Sequence, residues 1–180
     1  MFCRVSTTRT CTLQPAVLAV SLLIISGPVV GNAQAKSKAP LGYQLMCLKT
    51  PSECKGGGSA QAAGTVDTMQ LLERVNAQVN DSISPLADQG ADIWSADVTA
   101  GDCEDYVLAK RRALIKAGLP ASSLRIAYVE TQRGEGHVIL VVKTTSGDFV
   151  LDNLNSSVRP LSQAGYRVVS MSGADPLIWN

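Results

Sequence analysis

The run Gly101-Asp102-Cys103-Glu104-Asp105-Tyr106 decides how the rest of the chain is interpreted. Aspartate favours the N-cap position and acids favour the first helical turn, so this run predicts a helix from about Cys103 to Ala117. Gly118-Leu119-Pro120 then ends the helix. A cysteine at a helix N-terminus lies near unpaired backbone N–H groups, which stabilise a thiolate. The acids around Cys103 disfavour that thiolate, so a reactive thiol here requires a cationic partner.

His137 is the only histidine in the chain and the natural candidate for that partner. It begins the β-branched apolar run from His137 to Lys143, which predicts a strand. Asp152 follows 15 residues later in a second strand-like segment. A thiolate nucleophile needs a base within hydrogen-bond reach, and the base needs an acceptor that orients it. The order Cys103, His137, Asp152 therefore predicts a catalytic triad, although each residue taken alone is more often structural.

The hairpin between these two strands decides whether the triad can form. If the turn centres on Gly147, Asp152 pairs with a residue near Leu140 to Val142. That position is about four or five residues, or about 13–17 Å at the rise of a strand, from His137. A triad therefore requires an earlier reversal near Thr144-Thr145, a bulge or a strong twist.

Helical and strand patterns occupy different parts of the chain. Apolar residues from Thr68 to Val79 recur at helical spacing, whereas the period changes to two after Pro120. Segments with the strand pattern are Leu124 to Val129, His137 to Lys143, Phe149 to Leu154 and Tyr166 to Val169. A helical layer followed by a layer of strands predicts an α+β fold with helices packed on an antiparallel sheet.

An acyl-transfer site also needs hydrogen-bond donors for the developing oxyanion. The backbone N–H of Cys103 is one natural donor. Trp94, in the polar connection from Leu86 to Thr99, is a candidate for the second, because its indole carries an N–H. Packing in the core is the commoner role for a tryptophan, so both interpretations of Trp94 stay open.

Residues 1–35 have the composition of a secretory signal peptide. Arg4 and Arg9 provide a positive start without acids, an apolar run extends from Ala16 to Val30, and small residues follow. Both Ala33 and Ala35 suit the end of a cleavage site. The run of 15 residues is shorter than the ~20 of a spanning helix, so cleavage is favoured over an uncleaved anchor. The protein is therefore expected to be periplasmic or secreted.

Cleavage after residue 35 leaves 145 residues, enough for one domain with a hydrophobic core. With 14 basic and 15 acidic residues, its formal charge is −1, which gives no reason to expect a nucleic-acid partner. We expect an irregular N-terminal segment at 36–64, with a glycine-rich loop at 56–58, and the main domain at 65–180.

Three cysteines remain in the exported chain. Cys47 and Cys54 flank the turn-like pair Thr50-Pro51 and, in an oxidising compartment, predict a short-loop disulfide. A metal site is the alternative for this pair, but the segment offers no histidine and only two thiols. Cys103 is then the free thiol, either buried and inert or reactive.

Together these motifs resemble the bacterial transglutaminase-like cysteine proteinases, over roughly Leu71 to the end of the chain. The resemblance rests mainly on the run at 101–106 with Lys110 behind it, on His137-Val138-Ile139-Leu140, and on Val150-Leu151-Asp152-Asn153-Leu154. Further segments that fit are Asp92-Ile93-Trp94 and, more loosely, Cys47 to Cys54 and Trp179-Asn180.

The resemblance implies a papain-like, transglutaminase-like core with Cys103 as nucleophile, His137 as general base and then acid, and Asp152 as the orienter. The best-known members of the family are LapG-type periplasmic proteases, which cleave large surface adhesins near their N-termini and release cells from biofilms. In those relatives, acids beside the cysteine bind calcium, which carries over here to Asp102 and Glu104. No cofactor is implied for the chemistry itself. The partners implied are a protein substrate of the adhesin type and a regulatory membrane protein.

The predicted function is thus an exported cysteine peptidase that acts through a thioester. One alternative uses the same triad for acyl transfer to an amine or for hydrolysis of a wall-peptide amide. Another is a non-catalytic binding module that keeps the fold. The short chain, the glycine run and the cysteine pair depart from the family pattern, so the resemblance supports thiol hydrolase chemistry more strongly than adhesin cleavage.

Overall fold

The computed structural model describes residues 37–180; the predicted signal peptide and its cleavage site lie outside the described residues. The α-helices are α1 Leu41–Lys49, α2 Val66–Ser82 and α3 Cys103–Lys116. The strands are β1 Ser37–Lys38, β2 Ser84–Pro85, β3 Ala100–Gly101, β4 Leu124–Glu130, β5 Gly136–Thr144, β6 Gly147–Leu151, β7 Arg159–Pro160, β8 Arg167–Met171 and β9 Ile178–Trp179. Short 3₁₀ helices cover Pro51–Cys54, Ala121–Ser123 and Leu161–Gln163. Across 37–180, none of the helices combines the length and apolar character needed to cross a membrane.

Five of the strands form an antiparallel sheet in the order β7-β6-β5-β4-β8. Helices α2 and α3 pack against it, and apolar side chains from both layers form the main core. Members of this core include Leu72, Val75, Val107, Leu108, Leu114, Leu140, Val142 and Leu151. A smaller cluster contains the alternate sheet residues Ala127, Val129, Ile139, Val141 and Val150, with Ala164. The α+β class with helices on an antiparallel sheet is confirmed.

The β5–β6 hairpin reverses earlier than a turn centred on Gly147 would allow. Thr144 pairs with Gly147, so only residues 145 and 146 lie in the turn, and Leu140 pairs with Leu151. Asp152 follows directly, and the same register places it opposite Ile139, two residues from His137. Residues two apart on a strand share a face, and such diagonal neighbours are within reach of long side chains. The earlier reversal, one of the alternatives left open by the sequence, thus brings Asp152 to His137.

The segment 36–64 is more regular than its composition predicts. Helix α1 occupies part of it, and a disulfide joins Cys47 to Cys54 with a Cα–Cα distance of 5.6 Å, as the sequence predicted. Tyr43 on α1 is fully buried and packs edge-on against Trp94, with ring centroids 5.4 Å apart. The prediction of an irregular segment is wrong here because the aromatic partner that stabilises α1 lies some fifty residues away in the chain.

Candidate active site

Cys103 is the first residue of α3, as the sequence predicts, and Asp102 is its N-cap. Asp105 accepts the backbone N–H of Asp102 at 3.3 Å and that of Ser95 at 2.8 Å. Its side chain is buried, which raises its pKa to about 6. Asp105 therefore ties the start of the helix to the segment that carries Trp94, and this fixes the position of the thiol.

His137 and Asp152 form a buried pair, with Nε2 and Oδ1 2.9 Å apart and side chains 6% and 1% exposed. The second oxygen, Oδ2, accepts the Tyr166 hydroxyl at 2.5 Å, and Oδ1 also accepts the Leu154 N–H at 3.0 Å. Burial alone raises the pKa of Asp152, but hydrogen bonds from His137, Tyr166 and Leu154 together hold it below its ordinary value. An ionised Asp152 makes Nε2 the proton-bearing nitrogen of His137 and leaves Nδ1 free to act as a base.

Two asparagines of α2 hold the backbone around Asp152. Asn76 accepts the Asp152 N–H at 3.1 Å and donates to the carbonyls of Asn155 and Ser156, each at 3.0 Å. Asn80 donates to the Asp152 carbonyl at 2.9 Å. Asn76 is fully buried and Asn80 is half-buried. Their partners lie more than 70 residues away, so helix periodicity alone could not identify their role.

Cys103 and His137 line the same cavity of about 280 Å³, together with Asp92, Trp94 and Glu104. The thiol donates a hydrogen bond to Glu104 Oε2 at 3.1 Å, and among the described residues no hydrogen bond joins it to the His137 ring. Burial, followed by the charge and hydrogen bond of Glu104, raises the pKa of Cys103 to about 12, although the Val138 N–H acts in the opposite direction. The thiol is therefore protonated in this conformation.

Three carboxylates converge beside the thiol. Oxygens of Asp88, Asp102 and Glu104 lie within 4.8 Å of one another. Asp102 Oδ1 is buried without a hydrogen-bond partner. Burial, followed by the contact with Asp92, raises the pKa of Glu104 to about 8. Calcium prefers oxygen ligands, and these three carboxylates supply them. A cation would also relieve the repulsion between the carboxylates and provide a partner for Asp102 Oδ1. The family resemblance implied Asp102 and Glu104 as ligands and did not include Asp88, which the polar connection before α3 brings back to the helix terminus.

The structure does not support Trp94 as a donor to a substrate oxyanion. Its indole N–H donates to both carboxylate oxygens of Asp92 at 3.0 Å, and the ring belongs to the main core. A carboxylate two residues away is a stronger acceptor than a neutral carbonyl, so the indole is already engaged. Trp94 therefore packs in the core, which is the alternative that the sequence left open. Its indole N–H also holds Asp92 in the cavity wall.

The model of the bacterial transglutaminase-like cysteine proteinases matches residues 33–180. The chain belongs to this family. It is therefore a cysteine peptidase, and its mixed helical and antiparallel-sheet architecture is the one expected of the LapG type.

Among solved structures, this proteinase is similar to calcium-bound LapG of Legionella pneumophila, with a TM-score of 0.54 and 26% identity over 62% of this chain and 68% of that one. The EGTA-treated form of the same LapG gives a TM-score of 0.52 and 28% identity, over 58% and 63% of the two chains. The chain thus spans about two thirds of the length of LapG. No curated protein matches it.

Proposed function

We propose that this proteinase is an exported, calcium-dependent peptidase in which Cys103 is the nucleophile, His137 the general base and acid, and Asp152 the orienting group. The observation that carries the proposal is the buried His137–Asp152 pair beside the cavity that also contains Cys103. An imidazole held through Nε2 presents its other nitrogen to a proton donor, which is the arrangement that a thiol hydrolase requires.

Catalysis then follows from these groups in order. His137 Nδ1 takes the thiol proton, and the Cys103 sulfur attacks a peptide carbonyl carbon to form a tetrahedral intermediate. The Cys103 backbone N–H is a natural donor to the developing oxyanion. His137 returns the proton to the departing amine, which leaves a thioester. His137 then deprotonates a water molecule that hydrolyses this thioester and restores the thiol.

Calcium would be held by Asp88, Asp102 and Glu104, and it would supply positive charge among these carboxylates. A Glu104 carboxylate engaged as a ligand would be withdrawn from the Cys103 thiol, to which it is hydrogen-bonded in this conformation. The calcium-bound form of LapG supports this proposal.

The substrate we propose is a large surface adhesin, cleaved in a flexible region near its N-terminus, with a membrane protein as the regulatory partner. This substrate class and this partner are what the resemblance to LapG-type proteases implies. The disulfide between Cys47 and Cys54 supports location in the periplasm, where such bonds persist.

The test is incubation of the exported protein, in calcium, with the N-terminal region of a large adhesin from the same organism, followed by mass spectrometry of the products. We expect one specific cut, lost in Cys103→Ser with an unchanged melting temperature and lost also in a folded His137→Ala variant. Cleavage retained in Cys103→Ser would contradict the proposal. Added amine that appears in the product would indicate acyl transfer, and tight binding of the adhesin without any cut would indicate a binding module.

A further inference from the structure

A larger cavity, of about 580 Å³, lies between α1 and the segment 91–97. Its apolar lining includes Leu45, Met46, Ile93 and Trp94. Charged residues of both signs also line it, among them Glu53 and Arg112, which form an ion pair at 2.9 Å. A cavity of this size that combines apolar surface with polar groups is typical of a ligand site.

This cavity adjoins the catalytic one, because Asp92 and Trp94 line both. The shared wall is rigid: Asp92 accepts the Trp94 indole N–H, and Tyr43 packs on the ring. Gly42 lets α1 approach closely, since a Cβ there would lie 2.6 Å from both Asp92 Oδ2 and Trp94 Cδ1. A polypeptide with its scissile bond at Cys103 can therefore extend across Trp94 into the second cavity.

Two large apolar side chains in this cavity remain exposed to solvent. Leu45, on α1, is 48% exposed, and Ile93, in the segment 91–97, is 58% exposed. Both side chains line the cavity. Apolar side chains exposed together within a polar rim mark a binding surface more often than isolated ones. The cavity beside Cys103 is smaller, so it offers less apolar surface to a substrate.

We propose that the cavity beside α1 is a substrate subsite that takes a bulky apolar side chain located within a few residues of the scissile bond. The inference rests on the proposed function and adds a specificity determinant to it. The occupant is the substrate polypeptide, because the cavity adjoins the place where the peptide bond must lie. The cavity is lined by both acidic and basic residues, so it does not favour a substrate side chain of either charge. The preference for one substrate side chain over another therefore depends on apolar contact.

The test compares Leu45→Gln with Leu48→Gln. Both residues are on α1, but Leu48 is 79% exposed and does not line the cavity. The substrate is a set of peptides spanning the adhesin cut, in which each residue near the scissile bond is exchanged between leucine and alanine. For the wild type we expect one position at which leucine raises kcat/KM by about tenfold. The Leu45→Gln variant should lose this preference, mainly through KM, and Leu48→Gln should keep it.

Alkylation of Cys103 by iodoacetamide separates failure of this inference from failure of the proposed function, because the small reagent needs only the catalytic cavity. Rapid alkylation in all three proteins, with equal peptide preference in the Leu45 and Leu48 variants, would overturn the subsite alone. Slow alkylation of the wild type in calcium, with no cut in any peptide, would overturn the proposed function and the subsite with it.

Discussion

The two halves of the catalytic cavity differ in how completely their polar groups are satisfied. On one side, Asp152 has partners for both oxygens and for its backbone, and its pKa is held low. On the other side, the Cys103 thiol has a pKa raised to about 12, and Asp102 Oδ1 has no partner. The proposed base is therefore preorganised, whereas the proposed nucleophile is restrained by acids. Activation must act on the cysteine half, and each half can be altered separately.

The largest expected effect comes from the preorganised half. Replacing Asp152 with asparagine removes the carboxylate that selects the tautomer of His137, so we expect kcat to fall by about 10⁴-fold. Steady-state kinetics on the adhesin fragment measures this. Asp148→Asn, in the strand that directly precedes Asp152 but in a surface ion pair with Lys143, is the matched control and should retain full activity. Equal kcat values for the two variants would show that Asp152 does not orient the base.

Calcium should act on the opposite half. Chelation with EGTA should lower kcat/KM by about 10- to 100-fold, since coupling energies between two sites are usually of this size. Glu104→Gln should weaken the response to calcium, because it removes a ligand, whereas the exposed Glu73→Gln should leave it intact. Titration of activity against free calcium measures the response. An unchanged response in Glu104→Gln would exclude Glu104 from the calcium site.

A smaller effect is expected for Tyr166→Phe, which leaves Asp152 Oδ2 without its hydroxyl donor. The pKa of Asp152 should rise, because a hydrogen bond to the charged form is lost. We expect kcat to fall by about tenfold, the value of one hydrogen bond to a charged group. The fall should be greater at low pH, where Asp152 begins to protonate. A pH–rate profile that matches the wild type would contradict this role.

The smallest effect on activity, but a clear one on stability, is expected for Lys110→Met. Lys110 on α3 is fully buried, its Nζ has no hydrogen-bond partner, and burial lowers its pKa to about 7, although Asp152 opposes that shift. Because the unfolded chain binds this proton up to about pH 10, the wild type should gain stability as the pH rises from 7 to 10.

Lys110→Met should remove that gain and raise the free energy of unfolding at pH 7 by about 1–3 kcal/mol. Urea unfolding at pH 7 and pH 10 measures both effects. Lys116→Met, an exposed lysine of the same helix, is the control and should change neither. A destabilised Lys110→Met variant at pH 7 would mean that the buried ammonium has a favourable partner.

Local patterns in the sequence were sufficient to predict the elements that carry the proposed triad. The capping residues before Cys103 predicted the start of α3, and the β-branched run predicted β5 with His137 at its beginning. The register of the β5–β6 hairpin could not be predicted from the sequence, because both a turn centred on Gly147 and an earlier turn near Thr144-Thr145 suit these residues. The contacts of Tyr166, Asn76 and Asp88 depend on tertiary packing between distant segments, which periodicity and capping signals do not encode.

The most direct test of the account is the pH dependence of Cys103 alkylation by iodoacetamide, with calcium and with EGTA, beside the His137→Ala variant. Cys47 and Cys54 are paired in a disulfide, so the reagent reports on Cys103. The account predicts slow alkylation in EGTA and rapid alkylation below pH 7 in calcium, with the rapid reaction lost in His137→Ala. Slow alkylation of the wild type under both conditions, or rapid alkylation that persists without His137, would contradict it.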